Sequence, residues 1–369
     1  EILIGLVGSE MCIRDSFYHD GSLLFDEDGR NYIVYGNDEI WITELNEDLT
    51  APKKDGLHRL LVSDHKNPEL GYEGSHIQKI NGYYYIFLVH SLRDRWMRTE
   101  ACFYSDSLEG EFTGGDVLCD DRGYCGQGVA QGGIVDTPDG KWYAMLFQDS
   151  GAVGRIPILV PVTWKDHFPV FGQNGHVPEE IEVHSTRPGY IYQPLVGSDD
   201  FCNGLLPRWQ FNHDPDPRYY HLDALQGTYT ITTREVCTEL TQAVNTLTQR
   251  MSYPSCAAEV TVDASALKEG DVAGLCALQS CYAAVGITKH HGKYEVLMLD
   301  KKEDGILDMT EGTVVESHQM DFRLEADFCN MKDEARCYYR VNKGDWLPIG
   351  TVHKPVSYTQ LTLPTNSRV

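Results

Sequence analysis

Residues 71–87 read GYEGSHIQKINGYYYIF. One carboxylate, Glu73, stands ahead of an apolar segment, which a glycine-centred turn separates from a run of tyrosines and aliphatics. A glutamate at the head of a buried strand is costly unless it is paired, solvated or put to use. The stretch has two ungapped counterparts: DGSLLFDEDGRNYIVYG (20–36) and QGGIVDTPDGKWYAMLF (131–147) align with EGSHIQKINGYYYIFLV (73–89). Each begins with a polar residue and a glycine, continues as an apolar strand, turns at a glycine and returns as an aromatic-rich strand.

The turn glycines are Gly29, Gly82 and Gly140, 53 and 58 residues apart, and the polar residue lies nine positions ahead each time: Asp20, Glu73 and Gln131. A hairpin repeated at that period is the pattern of propeller blades. The innermost strands of a propeller run along a shared axis, so residues at matched strand heads converge at one mouth of the channel. Asp20, Glu73 and Gln131 are then expected to be neighbours in a polar pocket. The plainer alternative, three strand-capping residues with no common site, stays open on sequence alone.

With 369 residues the chain is long enough for two cores. A net charge of −24 disfavours nucleic-acid and anionic-membrane partners, which require clustered Lys and Arg, but leaves a neutral oligosaccharide unpenalised. No apolar run approaches the roughly 18 residues that span a bilayer. The 11 cysteines follow no CxxC or framework spacing, which points to buried thiols and favours a reducing, cytoplasmic setting. The oligomeric state leaves no mark in the sequence.

The ends, EILIGLVGSEMCIRDS (1–16) and VSYTQLTLPTNSRV (356–369), resemble translated linker sequence and are set aside as non-native tails, so the natural protein is expected to be longer. Between them the reading is all-β: a partial propeller of about three blades over 17–185, a Pro- and Gly-bearing linker over 186–200, and a β-sandwich over 201–355. Alternating strands in LDALQGTYTITT, AAEVTVDA and YAAVGITK support the sandwich. There Trp209, Phe211, His213, Tyr219 and Tyr220 are candidates for sugar stacking, with core and edge packing as the alternative.

Other motifs carry less. DEDG (26–29) lacks the EF-hand ligands and reads as a hairpin turn. GQGVAQGG (126–133) has the wrong spacing for a phosphate loop and leads into a strand. His290 and His291 sit in a turn, KHHGKY, as a marginal metal candidate.

The repeat, together with ACFYSDSLEGEF (101–112), GRIPILVPVTWKDHFPVFG (154–172), FCNGLLPRWQFNHDPDPRYYHL (201–222), QAVNTLTQR (242–250) and EGDVAGLCAL (269–278), resembles glycoside hydrolase family 43. These are five-bladed propeller enzymes acting as β-xylosidases and α-L-arabinofuranosidases, here followed by the family's concanavalin A-like (jelly-roll) sandwich. The resemblance implies an exo-acting, inverting hydrolase of xylan-derived oligosaccharides. It places Glu73 as general acid, Asp20 as the aspartate that orients that acid and tunes its pKa, and Arg155 as a binder of substrate hydroxyls. Gln131 stands where many members carry a histidine associated with a central calcium ion. A glutamine oxygen can serve as a ligand or hold a water, but the departure puts a calcium site in doubt, and no cofactor is required.

The family's general base, an aspartate in the first blade, has no counterpart here. Roughly two blades are absent with it, and this chain alone is expected to be inactive. Hydrolysis of a glycosidic bond needs two carboxyl groups in different protonation states across one bond, and the donor must hold its proton near neutral pH. A negative neighbour such as Asp20 is a physical means to that end. Rival readings are another five-bladed glycosidase acting on a different sugar, and a non-catalytic carbohydrate-binding protein on the same propeller.

Overall fold

The computed structural model describes residues 18–183, 185–310 and 312–356, and the backbone of 360–363 and 365–367. These form two compact units, one ending at Ser185 and the other comprising Ser150–Gly154 and Thr186–Val369.

The first unit is three four-stranded antiparallel sheets in chain order, the blades of a partial propeller. Blade one is β1 (Ser22–Phe25), β2 (Asn31–Asn37), β3 (Glu39–Leu45) and β4 (His58–Ser63). Blade two is β5 (Glu73–Ile80), β6 (Tyr83–Ser91), β7 (Arg98–Ser105) and β8 (Thr113–Leu118). Blade three is β9 (Ala130–Asp136), β10 (Trp142–Asp149), β11 (Arg155–Lys165) and β12 (Phe168–Phe171). The repeated segments are the first two strands of each blade. Their turn glycines have φ of 82°, 86° and 78°, with nothing within 4 Å of a Cβ built at any of them. Backbone conformation and not crowding therefore requires glycine there.

Strand β6 shows why its sequence is apolar without alternation. Tyr84, Ile86 and Leu88 enter a core shared with Leu24, Val34, Ile40 and Ile42 of blade one. Tyr85 and Phe87 face the other way, into a core with Ile134, Leu146, Val160 and Phe171 of blade three. A sheet covered on both faces needs apolar residues at every position. Strand β1 at the edge of blade one alternates instead, with Leu24 buried while Leu23 and Phe25 are exposed, and blade three exposes Val135 and Met145.

The second unit is a sandwich. Strands Asp271–Leu278, Tyr282–His290 and Lys293–Lys301 form the centre of a nine-stranded sheet. Their Leu275, Val285, Ile287 and Met298 pack on Phe322, Leu324, Ala335 and Cys337 from a four-stranded sheet. Backbone of the segment set aside as a tail takes part in this fold. Gln360–Leu363 bridges strands Leu247–Arg250 and Asp271–Leu278, and Thr365–Ser367 also pairs with the latter. Ladder bonds use main-chain groups, so a segment of any origin can fill such a gap. The tail at 1–16 lies outside the described residues. The described cysteines are all free, and no helix among the described residues is long and apolar enough to cross a membrane.

Candidate active site

Glu73 heads β5, Gln131 is the second residue of β9, and Asp20 lies two residues before β1. The structure gathers all three. A carboxylate oxygen of Asp20, one of Glu73 and a ring nitrogen of His19 lie within 4.8 Å of one another. His19 Nε2 is 3.6 Å from Asp20 Oδ2 and 3.5 Å from Glu73 Oε2, while Asn37 Nδ2 donates to Glu73 Oε2 over 3.2 Å. Gln131 packs on the residue after the acid: a Cβ at Gly74 (φ 68°) would stand 2.6 Å from Gln131 Cγ. Glycine at 74 thus answers both a left-handed backbone and a close approach, and brings blades two and three together beside Glu73.

Arg155, at the head of β11, has its guanidinium 4.4 Å from the centre of the Phe147 ring and its Nε 3.5 Å from Asp149 Oδ1. It belongs to the same blade as Gln131. The group linking the two is Arg98, at the head of β7. Arg98 is 3% exposed, stands 4.6 Å from the same Phe147 ring, and brings Nη1 to 2.9 Å from Asp149 Oδ2. Its Nη2 donates to Gln131 Oε1 at 3.5 Å. Burial lowers the pKa of Arg98, the Asp149 charge opposing it and the Arg155 charge adding to it, yet a guanidinium stays charged. Glu100, fully buried, accepts the Gln131 backbone N–H at 2.6 Å. Burial pushes its carboxyl well above the usual carboxylate range, against that hydrogen bond and the Arg98 charge.

His19, Asn37, Arg98, Phe147 and Asp149 escaped the sequence reading. A signal for one of them was present. Arg98 pairs with Ser91 at the start of its strand as Arg155 pairs with Asp149, so the two arginines occupy the same position in adjacent blades.

The remaining candidates lie in the second unit. Trp209, Phe211 and Tyr220 sit in an aromatic cluster with Phe201 and Tyr229, and Trp209 Nε1 donates to Asp199, which supports packing. His213 lies against the Thr241 carbonyl, and Tyr219 lies between Arg218 and Arg234. His290 and His291 are exposed, with Glu295 3.8 Å from His290. Among the described residues, the grouping of three side chains able to share a metal ion is His19, Asp20 and Glu73.

A propeller with carboxylates gathered at the heads of its inner strands, followed by a β-sandwich, defines a class of carbohydrate-active proteins. Residues 6–169 match the profile of glycosyl hydrolases family 43, and residues 198–362 match the β-xylosidase C-terminal concanavalin A-like domain. The chain belongs to glycosyl hydrolase family 43, in the form that carries this C-terminal domain.

Among solved structures it is similar to a bifunctional GH43-CE protein of Bacteroides eggerthii, with TM-score 0.79 and 38% identity, over 95% of this chain and 46% of that one. It is 25% identical over 275 residues to a β-xylosidase of Formosa agariphila, covering 63% of this chain and 46% of the relative. To a non-reducing end α-L-arabinofuranosidase of Bacteroides ovatus it is 23% identical over 255 residues, covering 64% of this chain and 47% of the relative. The chain thus spans about half the length of these curated relatives.

Proposed function

We propose that this chain carries the acid half of an inverting, exo-acting glycosidase of xylan- and arabinan-type oligosaccharides, a β-xylosidase or α-L-arabinofuranosidase. The observation that carries the reading is the convergence of Glu73, Asp20 and His19 at the inner strand heads. Glu73 donates a proton to the leaving oxygen as the glycosidic C–O bond breaks. Asp20 orients it through the shared His19, and Arg155 and Gln131 bind sugar hydroxyls. Water attacks the anomeric carbon from the opposite face and gives its proton to a second carboxylate, roughly 6.5–9.5 Å from the acid in inverting enzymes. No described residue is assigned that role, and the chain by itself is expected to bind sugar without hydrolysing it. The names of the relatives support both sugars, and the missing base equally suits a protein that only binds carbohydrate.

The test joins the chain to an N-terminal segment of the kind its longer relatives carry and assays alkyl and activated aryl glycosides. Glu73→Gln is expected to abolish most activity on an alkyl xyloside or arabinofuranoside. On an aryl substrate whose leaving group needs no proton, the loss should be smaller by at least roughly tenfold. Equal losses on the two would remove Glu73 from the acid role. Absence of hydrolysis in the joined wild-type protein, with sugar binding intact, would favour the binding protein.

A further inference from the structure

The glutamine that replaces the calcium-associated histidine is held by a cation already built into the chain. A guanidinium only donates hydrogen bonds, so the amide oxygen of Gln131 must be the atom facing Arg98 Nη2, at 3.5 Å. The amide nitrogen then lies toward Gly74, where a Cβ would come within 2.7 Å of it. A calcium ion bound at that oxygen, at about 2.3–2.6 Å, would sit beside a buried positive charge. The carboxylates near it are already engaged: Glu73, whose charge also acts on Arg98, has one oxygen held by Asn37 and His19. Glu100 spends one oxygen on the Gln131 N–H and is pushed by burial toward its neutral form, and Asp149 lies between Arg98 and Arg155. The residues around Gln131 do not fit calcium.

We propose that Arg98 is the resident cation of this site and a positioning residue. It orients the Gln131 amide directly and the Arg155 guanidinium through Asp149 and the Phe147 ring that the two arginines share, and no divalent metal is needed. Removing it frees Asp149 and Phe147 to move, and Arg155 loses its fixed direction. This inference rests on the glycosidase reading only for the ligand used to probe it.

The experiment uses the full chain, its melting temperature and its binding of xylo- and arabino-oligosaccharides by calorimetry, each in EDTA and in millimolar calcium chloride. The wild type is expected to melt and bind alike in both. Arg98→Met should weaken sugar binding roughly tenfold or more. Arg98→Lys should restore little, because an ammonium lacks the planar fork that spans Asp149 and Gln131.

The decisive readout is Arg98→Met in a chain that already carries Arg155→Ala and Gln131→Ala. If Arg98 acts through those two side chains, adding Arg98→Met weakens binding no further, whereas a general structural role would add to the loss. Additive losses, unchanged binding in Arg98→Met, or a saturable calcium shift of the wild-type melt reversed by EDTA would each overturn the proposal. If Arg98→Met does not fold, Arg98→Lys carries the same cycle. If the wild type binds neither sugar, the glycosidase reading fails while the calcium melts still decide: a flat response supports a resident cation and a saturable shift overturns it.

Discussion

His90 of β6 lies between two carboxylates, Nδ1 3.1 Å from Asp64 Oδ2 and Nε2 2.8 Å from Asp116 Oδ1. Burial pulls its pKa down, but the hydrogen bonds and charges of Asp116 and Asp64 more than reverse this, leaving it above its ordinary 6.5. A histidine raised on folding stabilises the protein fully below its unfolded pKa, and that contribution is lost as pH rises through the folded value. Stability to urea should therefore fall from pH 6.5 upward, and His90→Gln should flatten that part of the profile. An unchanged slope in the variant would assign the pH dependence elsewhere. Nothing local in FLVHS announces this residue, since Asp64 and Asp116 reach it from loop and strand positions far along the chain. Glu73 and Asp20, by contrast, were legible because their register repeats.

Between elements, the turn DEDG shows what a motif becomes in place. Asp26 does not reach for a metal ion; its carboxylate accepts from Lys79 Nζ at 2.6 Å and Tyr84 Oη at 2.5 Å, tying the β1–β2 turn to β5 and β6. Burial raises the pKa of Asp26, but the bonds from Lys79 and Tyr84 outweigh it and the net shift is downward from 3.8. A depressed carboxylate stabilises the fold above its unfolded pKa and ceases to do so as pH falls through the folded one. Asp26→Asn should cost about 1–3 kcal/mol at neutral pH and less at pH 3, measured by denaturant unfolding at both. An equal cost at both values would show that the charge is not what Lys79 and Tyr84 need. The hairpins themselves were readable from their turn glycines, because a positive φ is a local demand. The two-sided burial of β6 was visible only as an unbroken apolar run, which cannot say which neighbours cover which face.

Over the whole molecule, 31 basic residues stand against 55 acidic ones. That excess repels itself more in the compact state than in the extended chain, and salt screens exposed charges beyond about 10 Å at 0.1 M. Raising sodium chloride to that range should lift the melting temperature by about 1–3 °C; a fall would mean that ion pairs such as Asp26–Lys79 outweigh the general repulsion. The sequence by itself determined the all-β class, the period of the blades, the hairpins and the identity of the acids at the strand heads. It could do so because strand alternation, turn conformation and repeat length are written in near neighbours. Only the tertiary structure decided that His19 and Asn37 complete the surroundings of Glu73, and that Arg98 stands behind Gln131 and Arg155. Those contacts join residues separated by up to dozens of positions. Their geometry is set by how one blade packs on the next, a sum of many weak apolar contacts that no short stretch of sequence contains.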